Sequence, residues 1–131
     1  MKTLIVEDDF TSRLLLQELL KSYGPTHLAV NGHEAVAAFR HALEAGQPYT
    51  LICLDIMMPE MDGQTALREI RQLEEANNIF STDGAKVIMT TALDHPKDVI
   101  AAFSSLCDAY LVKPIDKAKL LKHLRTMHLI T

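Results

Sequence analysis

Hydrophobic positions along the chain fall into two alternating patterns. Short unbroken runs, rich in leucine and β-branched residues, occupy residues 2–6, 26–30, 49–54, 86–90 and 109–112. The run over 51–54 suits a strand buried on both faces of a sheet, and 26–30 is a weaker strand. Between the runs apolar residues return every three to four positions, the spacing of an amphipathic helix. Leu15, Leu16, Leu19 and Leu20 mark a helix over 14–23, and Val36, Phe39 and Leu43 mark one opening at Asn31. Leu67, Ile70 and Leu73 mark a third over 64–76. Asp94 and Pro96 open a fourth that reaches residue 106, and Asp116 caps a last helix whose stripe is Leu120, Leu121 and Leu124.

The punctuation agrees with the periodicity. Gly24-Pro25 and Gly46-Gln47-Pro48 stop helices, and Asn31 followed by Glu34 has capping-box spacing. Five alternations of strand and helix predict a parallel sheet covered on both faces, because parallel neighbours need crossover connections, which are right-handed. No repeat, low-complexity stretch or linker breaks the alternation, so residues 1–131 are expected to form one domain without an output domain.

Composition narrows the function. A chain of 131 residues can bury a proper core, and 48% apolar with 23% charged residues is ordinary for a soluble globular protein. A net charge of −4 argues against nucleic acid as a partner. No apolar run approaches the ~20 residues of a membrane span. Glu7, Asp8 and Asp9 interrupt the first apolar run before it could serve as a signal peptide, which predicts a cytoplasmic location. Cys53 and Cys107 lie in apolar stretches without metal-ligand spacing and are expected as free, buried thiols. The scattered histidines include no H-x-x-x-H pair, which disfavours zinc.

The candidate chemistry stands at the strand ends. The first run ends on Glu7 and Asp8, the third on Asp55, the fourth on Thr91 and the fifth on Lys113. Each has a plain structural reading as a cap, a strand terminator or a solvated lysine. In a parallel sheet, however, these ends share one edge, where open α/β folds bind their ligands. Three carboxylates held together repel unless a cation joins them, and oxygen ligands suit Mg²⁺. A lysine and a hydroxyl beside them could hold phosphoryl oxygens, so the set has the parts for phosphoryl transfer to aspartate.

Four segments carry a resemblance: Leu-Ile-Val-Glu-Asp-Asp, Leu-Asp-Ile-Met-Met-Pro-Glu-Met-Asp-Gly, Met-Thr-Thr-Ala and Tyr-Leu-Val-Lys-Pro. In this order and spacing they resemble the response regulator receiver domain of bacterial two-component signalling, over essentially the whole chain. The resemblance implies a flavodoxin-like, doubly wound (βα)5 three-layer sandwich with a parallel five-stranded sheet of order 2-1-3-4-5. It implies that Asp55 takes a phosphoryl group from a sensor histidine kinase or a histidine phosphotransfer protein. Asp8 would hold Mg²⁺ directly, Glu7 through water, and the backbone carbonyl of Met57 would complete the site with Asp55. Asp9 would have no metal role. Thr91 would be the switch hydroxyl, Lys113 the phosphate-binding lysine joined to Pro114 by a cis bond, and Tyr110 the aromatic ring that moves inward. The output would be a protein-binding surface on the fourth helix, fifth strand and last helix, in a monomer or a phosphorylation-promoted dimer. Such a chain is not an enzyme beyond its own phosphorylation and slow dephosphorylation.

Met57 and Leu93 stand two residues after the acceptor and the switch threonine, positions that in this family flank the path of the hydrolytic water. Neither can orient a water, which predicts a long-lived phosphoryl group. Two other readings stay open: a pseudo-receiver acting as a phosphorylation-independent interaction module, and an aspartyl-phosphate phosphatase. Against the phosphatase, Ile56 and Met57 stand where a second acid would be needed. Lys117, Lys119, Lys122 and Arg125 either meet an acidic partner or form a solvated face.

Overall fold

A computed structural model describes residues 1–56, 58, 61–80, 83–92 and 106–131. The elements in chain order are β1 (Thr3–Val6), α1 (Phe10–Leu20), a 3₁₀ turn (Lys21–Tyr23), β2 (Thr26–Ala29), α2 (Gly32–Glu44) and β3 (Leu51–Asp55). They continue with α3 (Gly63–Ala76), β4 (Lys86–Thr91), β5 (Ala109–Val112) and α4 (Lys117–Thr126). The helix expected over 94–106 lies outside the described residues, apart from its last position. The strands form one parallel sheet in the order β2-β1-β3-β4-β5.

Successive side chains of a strand point to opposite faces, so the apolar runs of the central strands β1, β3 and β4 fill two cores at once, while the edge strands β2 and β5 leave Leu28, Tyr110 and Val112 exposed. On one face Leu4, Val6, Ile52, Leu54, Val87 and Met89 meet Val36 and Phe39 of α2 and Leu67 and Ile70 of α3. On the other, Ile5, Cys53, Ile88 and Leu111 meet Leu16 and Leu20 of α1 and Leu120 and Leu124 of α4. The result is the expected three-layer, doubly wound architecture. No helix among the described residues is long and apolar enough to cross a membrane.

Several expected details shift. Helix α1 begins at Phe10 rather than 14, because the Asp9 carboxylate accepts the Ser12 N–H at 2.8 Å and caps a first turn that has no apolar periodicity. Its buried pair is Leu16 and Leu20, while Leu15 faces outward. In α2 and α3, Leu43 and Leu73 are only half-buried; Ala42 and, unexpectedly, Glu74 take the inner positions. Both thiols are free, but Cys107 is half-buried rather than buried. The Lys113–Pro114 bond is cis.

Register brings the strand ends together. Val6 pairs with Leu54, Asp55 with Thr90, Thr90 with Leu111 and Thr91 with Val112. Residues just beyond β1 and β5 therefore stand level with the ends of β3 and β4.

Candidate functional site

Glu7, Asp8 and Asp55 each bring a carboxylate oxygen to within 4.8 Å of the others. Glu7 and Asp55 are buried, and Asp8 is exposed. Lys113 reaches in from the end of β5, its Nζ donating to Glu7 Oε1 at 2.8 Å and to Asp55 Oδ2 at 3.3 Å. Glu7 and Asp55 thus share one ammonium, with the Asp8 carboxylate close by. Burial disfavours the ammonium charge, but the hydrogen bond to Glu7 and the charge of Asp55 outweigh it and hold the Lys113 pKa above its usual value. For Glu7 the balance falls the other way: burial, reinforced by the charge of Asp55, raises its pKa despite the bond from Lys113.

The two oxygens of Glu7 differ. Oε1 accepts from both Lys113 Nζ and the Asp9 N–H, the latter at 3.2 Å. Oε2 is buried and has no hydrogen-bond partner among the described residues. A buried carboxylate oxygen without a donor is costly, and a bound cation or its water would satisfy it. The donor set of three carboxylates suits a hard divalent ion, and no histidine or cysteine accompanies it among the described residues. The residues therefore fit Mg²⁺. Asp9 stands apart from this set. Its carboxylate caps α1, and the Ser12 N–H it accepts lowers its pKa.

Local structure explains how Asp55 is presented. Strand β3 runs through Asp55, and the next residue, Ile56, donates its N–H to Thr90 O at 3.0 Å. The chain closes when Gly63 N–H donates to Ile56 O at 3.1 Å. A Cβ at Gly63 would lie 2.1 Å from Asp55 O, so only glycine lets α3 start against the end of β3. Asp62 caps that helix by accepting the Thr65 N–H at 2.8 Å.

Thr91 is buried at the last position of β4, and its carbonyl accepts the Lys113 N–H at 2.7 Å. This bond ties the hydroxyl-bearing strand end to the lysine. Tyr110 lies on β5 and is 37% exposed. Met57 and Leu93 lie outside the described residues. Arg13 is an addition that the sequence reading missed. Its Nη1 donates to the Glu7 carbonyl at 3.1 Å, and its guanidinium sits over the Phe10 ring, 5.7 Å from the centroid. A base six residues after the first acid hints at this, but a contact to a main-chain carbonyl shows only in the fold.

The family model for the response regulator receiver domain matches residues 3–125. Chemotaxis protein CheY of Bacillus subtilis (strain 168) is 31% identical over 126 residues, covering 92% of this chain and 92% of that protein. Hybrid signal transduction histidine kinase L of Dictyostelium discoideum is 32% identical over 120 residues, or 91% of this chain, and the chain spans only 7% of that kinase's length. The solved CheX–CheY–BeF3–Mg²⁺ complex from Borrelia burgdorferi matches with a TM-score of 0.80 at 27% identity, covering 98% of this chain and 89% of that one.

Proposed function

The chain belongs to the response regulator receiver domain family, and on that premise we propose that Asp55 accepts a phosphoryl group from a phosphohistidine of a sensor histidine kinase or a histidine phosphotransfer protein. One observation carries the reading: the buried Asp55 carboxylate shares Lys113 Nζ with Glu7, and both acids lie within 4.8 Å of Asp8. An Asp55 oxygen forms the new O–P bond as the donor's N–P bond breaks. Asp55, Asp8, the Met57 carbonyl and, through water, Glu7 would hold Mg²⁺. Such an ion, when bound, offsets the charge of the acids and of the phosphoryl oxygens. Lys113 meets one phosphoryl oxygen and the Thr91 hydroxyl donates to another, so the chain contributes position and charge rather than turnover of a separate substrate.

The new charge of roughly −1.5 to −2 draws Thr91 inward, and Tyr110 follows into the space it leaves. The surface so altered includes a groove of about 580 Å³ along β5 and α4, lined by Tyr110, Val112, Lys119 and His123 among others. In this reading residues 1–131 act as one cytoplasmic receiver that signals by protein contact. The Borrelia relative, a CheY bound to CheX with BeF3 and Mg²⁺, supports partner binding of this kind.

Intact mass after incubation with acetyl phosphate tests the reading. The expected result is a gain of one phosphoryl group with Mg²⁺, and none without Mg²⁺ or in Asp55→Ala. No gain, together with failure to bind beryllofluoride, would leave a phosphorylation-independent interaction module instead.

A further inference from the structure

The segment that follows Asp55 is held at its far end by two glycine amides, and one of them belongs to a different helix. Gly63 N–H donates within the segment, to Ile56 O. Gly32 N–H, at the start of α2, donates to Met61 O at 3.2 Å. A Cβ at Gly32 would lie 2.5 Å from that carbonyl oxygen, 2.7 Å from Met61 Cγ and 2.8 Å from Met61 Cβ. The nearest of these atoms is backbone, so a side chain at position 32 cannot be accommodated by a rotamer change. The segment itself would have to move.

The start of α2 is built not to yield. Asn31 caps the helix by accepting the Glu34 N–H at 2.8 Å, and Glu34 Oε1 reaches back past the cap to accept the Val30 N–H at 3.0 Å, which braces the first turn from both sides. Behind it, Ala35, Val36 and Phe39 anchor the helix in the core. The first N–H groups of a helix have no partner within it, so Met61 O satisfies one that would otherwise go unmet.

We infer that Gly32 is a positioning residue for the phosphoacceptor: the capped start of α2 fixes Met61, and through Asp62 and Gly63 the end of β3 at Ile56 and Asp55. This rests on the proposed receiver function. Occupancy of the acid site and order at the start of α2 are then linked, and each favours the other.

Calorimetric titration with Mg²⁺ tests the inference on the parent chain, Gly32→Ala and Gly46→Ala. Gly46 has φ +71° and nothing within 4 Å of an added Cβ, so alanine there strains the backbone far from the site. The expected result is Mg²⁺ affinity lower by about tenfold or more in Gly32→Ala, the scale of lost supporting contacts at metal sites. Gly46→Ala should stay within about twofold of the parent, whatever its melting temperature. A folded Gly32→Ala that binds Mg²⁺ as the parent does would overturn the inference. If that variant does not fold, hydrogen exchange in the parent decides. The Gly32 amide should gain protection on addition of Mg²⁺ and beryllofluoride, and unchanged exchange overturns the linkage. A parent that binds neither would remove the receiver reading, and this inference with it.

Discussion

Glu7 sets the electrostatics of the sheet edge. Its pKa is raised above the ordinary value of 4.5 by burial and by Asp55, so the ionised form costs the folded state more than the unfolded one. In the window between 4.5 and the raised value the folded chain binds more protons, and stability falls as pH rises through it. Urea unfolding in EDTA across that window should show this slope, and Glu7→Gln should flatten it; an unaltered slope in the variant would assign the effect elsewhere. Lys113 works in the opposite sense: its stabilisation is present below its usual 10.5 and is lost as pH climbs through its raised pKa. A separate residue-scale expectation concerns Met57 and Leu93. Replacing both with polar residues should shorten the half-life of the phosphoryl group on Asp55, and equal decay would dismiss a shielding role. The participants at this scale were legible because each acid, and the lysine, follows an apolar run. The division of labour between the two Glu7 oxygens, and the contact from Arg13, depend on atoms that no spacing encodes.

At the scale of elements, the central strands could be read ahead of the fold because a strand buried on both faces must be continuously apolar, while the strand order came from the resemblance of the four segments to the receiver family. The inner face of α3 could not. Residues 73 and 74 both satisfy helical spacing, and the leucine is the natural choice, yet Glu74 is the buried one. The cause lies on other elements. Glu74 Oε2 accepts the Ala85 N–H at 2.7 Å, and Arg71 donates to Glu74 at 2.6 Å, Ala85 O at 2.8 Å, Leu106 O at 2.9 Å and Asp108 at 3.3 Å. Asp108 also accepts the Val87 N–H at 2.8 Å. One guanidinium therefore joins the end of α3 to the starts of β4 and β5, at the sheet edge opposite the acids. In the sequence it looks like a solvated i,i+3 pair, worth a few tenths of a kcal/mol. Arg71→Ala should instead cost about 2–3 kcal/mol in urea unfolding, because a buried carboxylate and two carbonyls lose their donor. Adding Glu74→Gln should recover part of that loss. A cost below about 0.5 kcal/mol would return Arg71 to the surface class.

For the whole molecule, the same parallel register that makes a stable sheet gathers like charges at one edge, and stability is coupled to what binds there. Without a cation, Glu7 and Asp55 share the single ammonium of Lys113, with the Asp8 carboxylate within 4.8 Å of both. Removing one acid should therefore strengthen the metal-free fold: Asp55→Asn is expected to gain about 1 kcal/mol, or roughly 3–5 °C in Tm. An ion that binds only the folded chain adds about 2.7 kcal/mol at a hundred times its Kd, and the full acid set binds it more tightly than a depleted one. The two effects oppose each other. Thermal unfolding of the parent and Asp55→Asn, each in EDTA and in saturating Mg²⁺, should place the variant higher in EDTA and bring the parent level with it or above it in Mg²⁺. If Mg²⁺ shifts both chains equally, the ion sits away from Asp55. If the parent is the more stable in EDTA, the acids are not in net repulsion, and the sheet edge needs no cation to hold them.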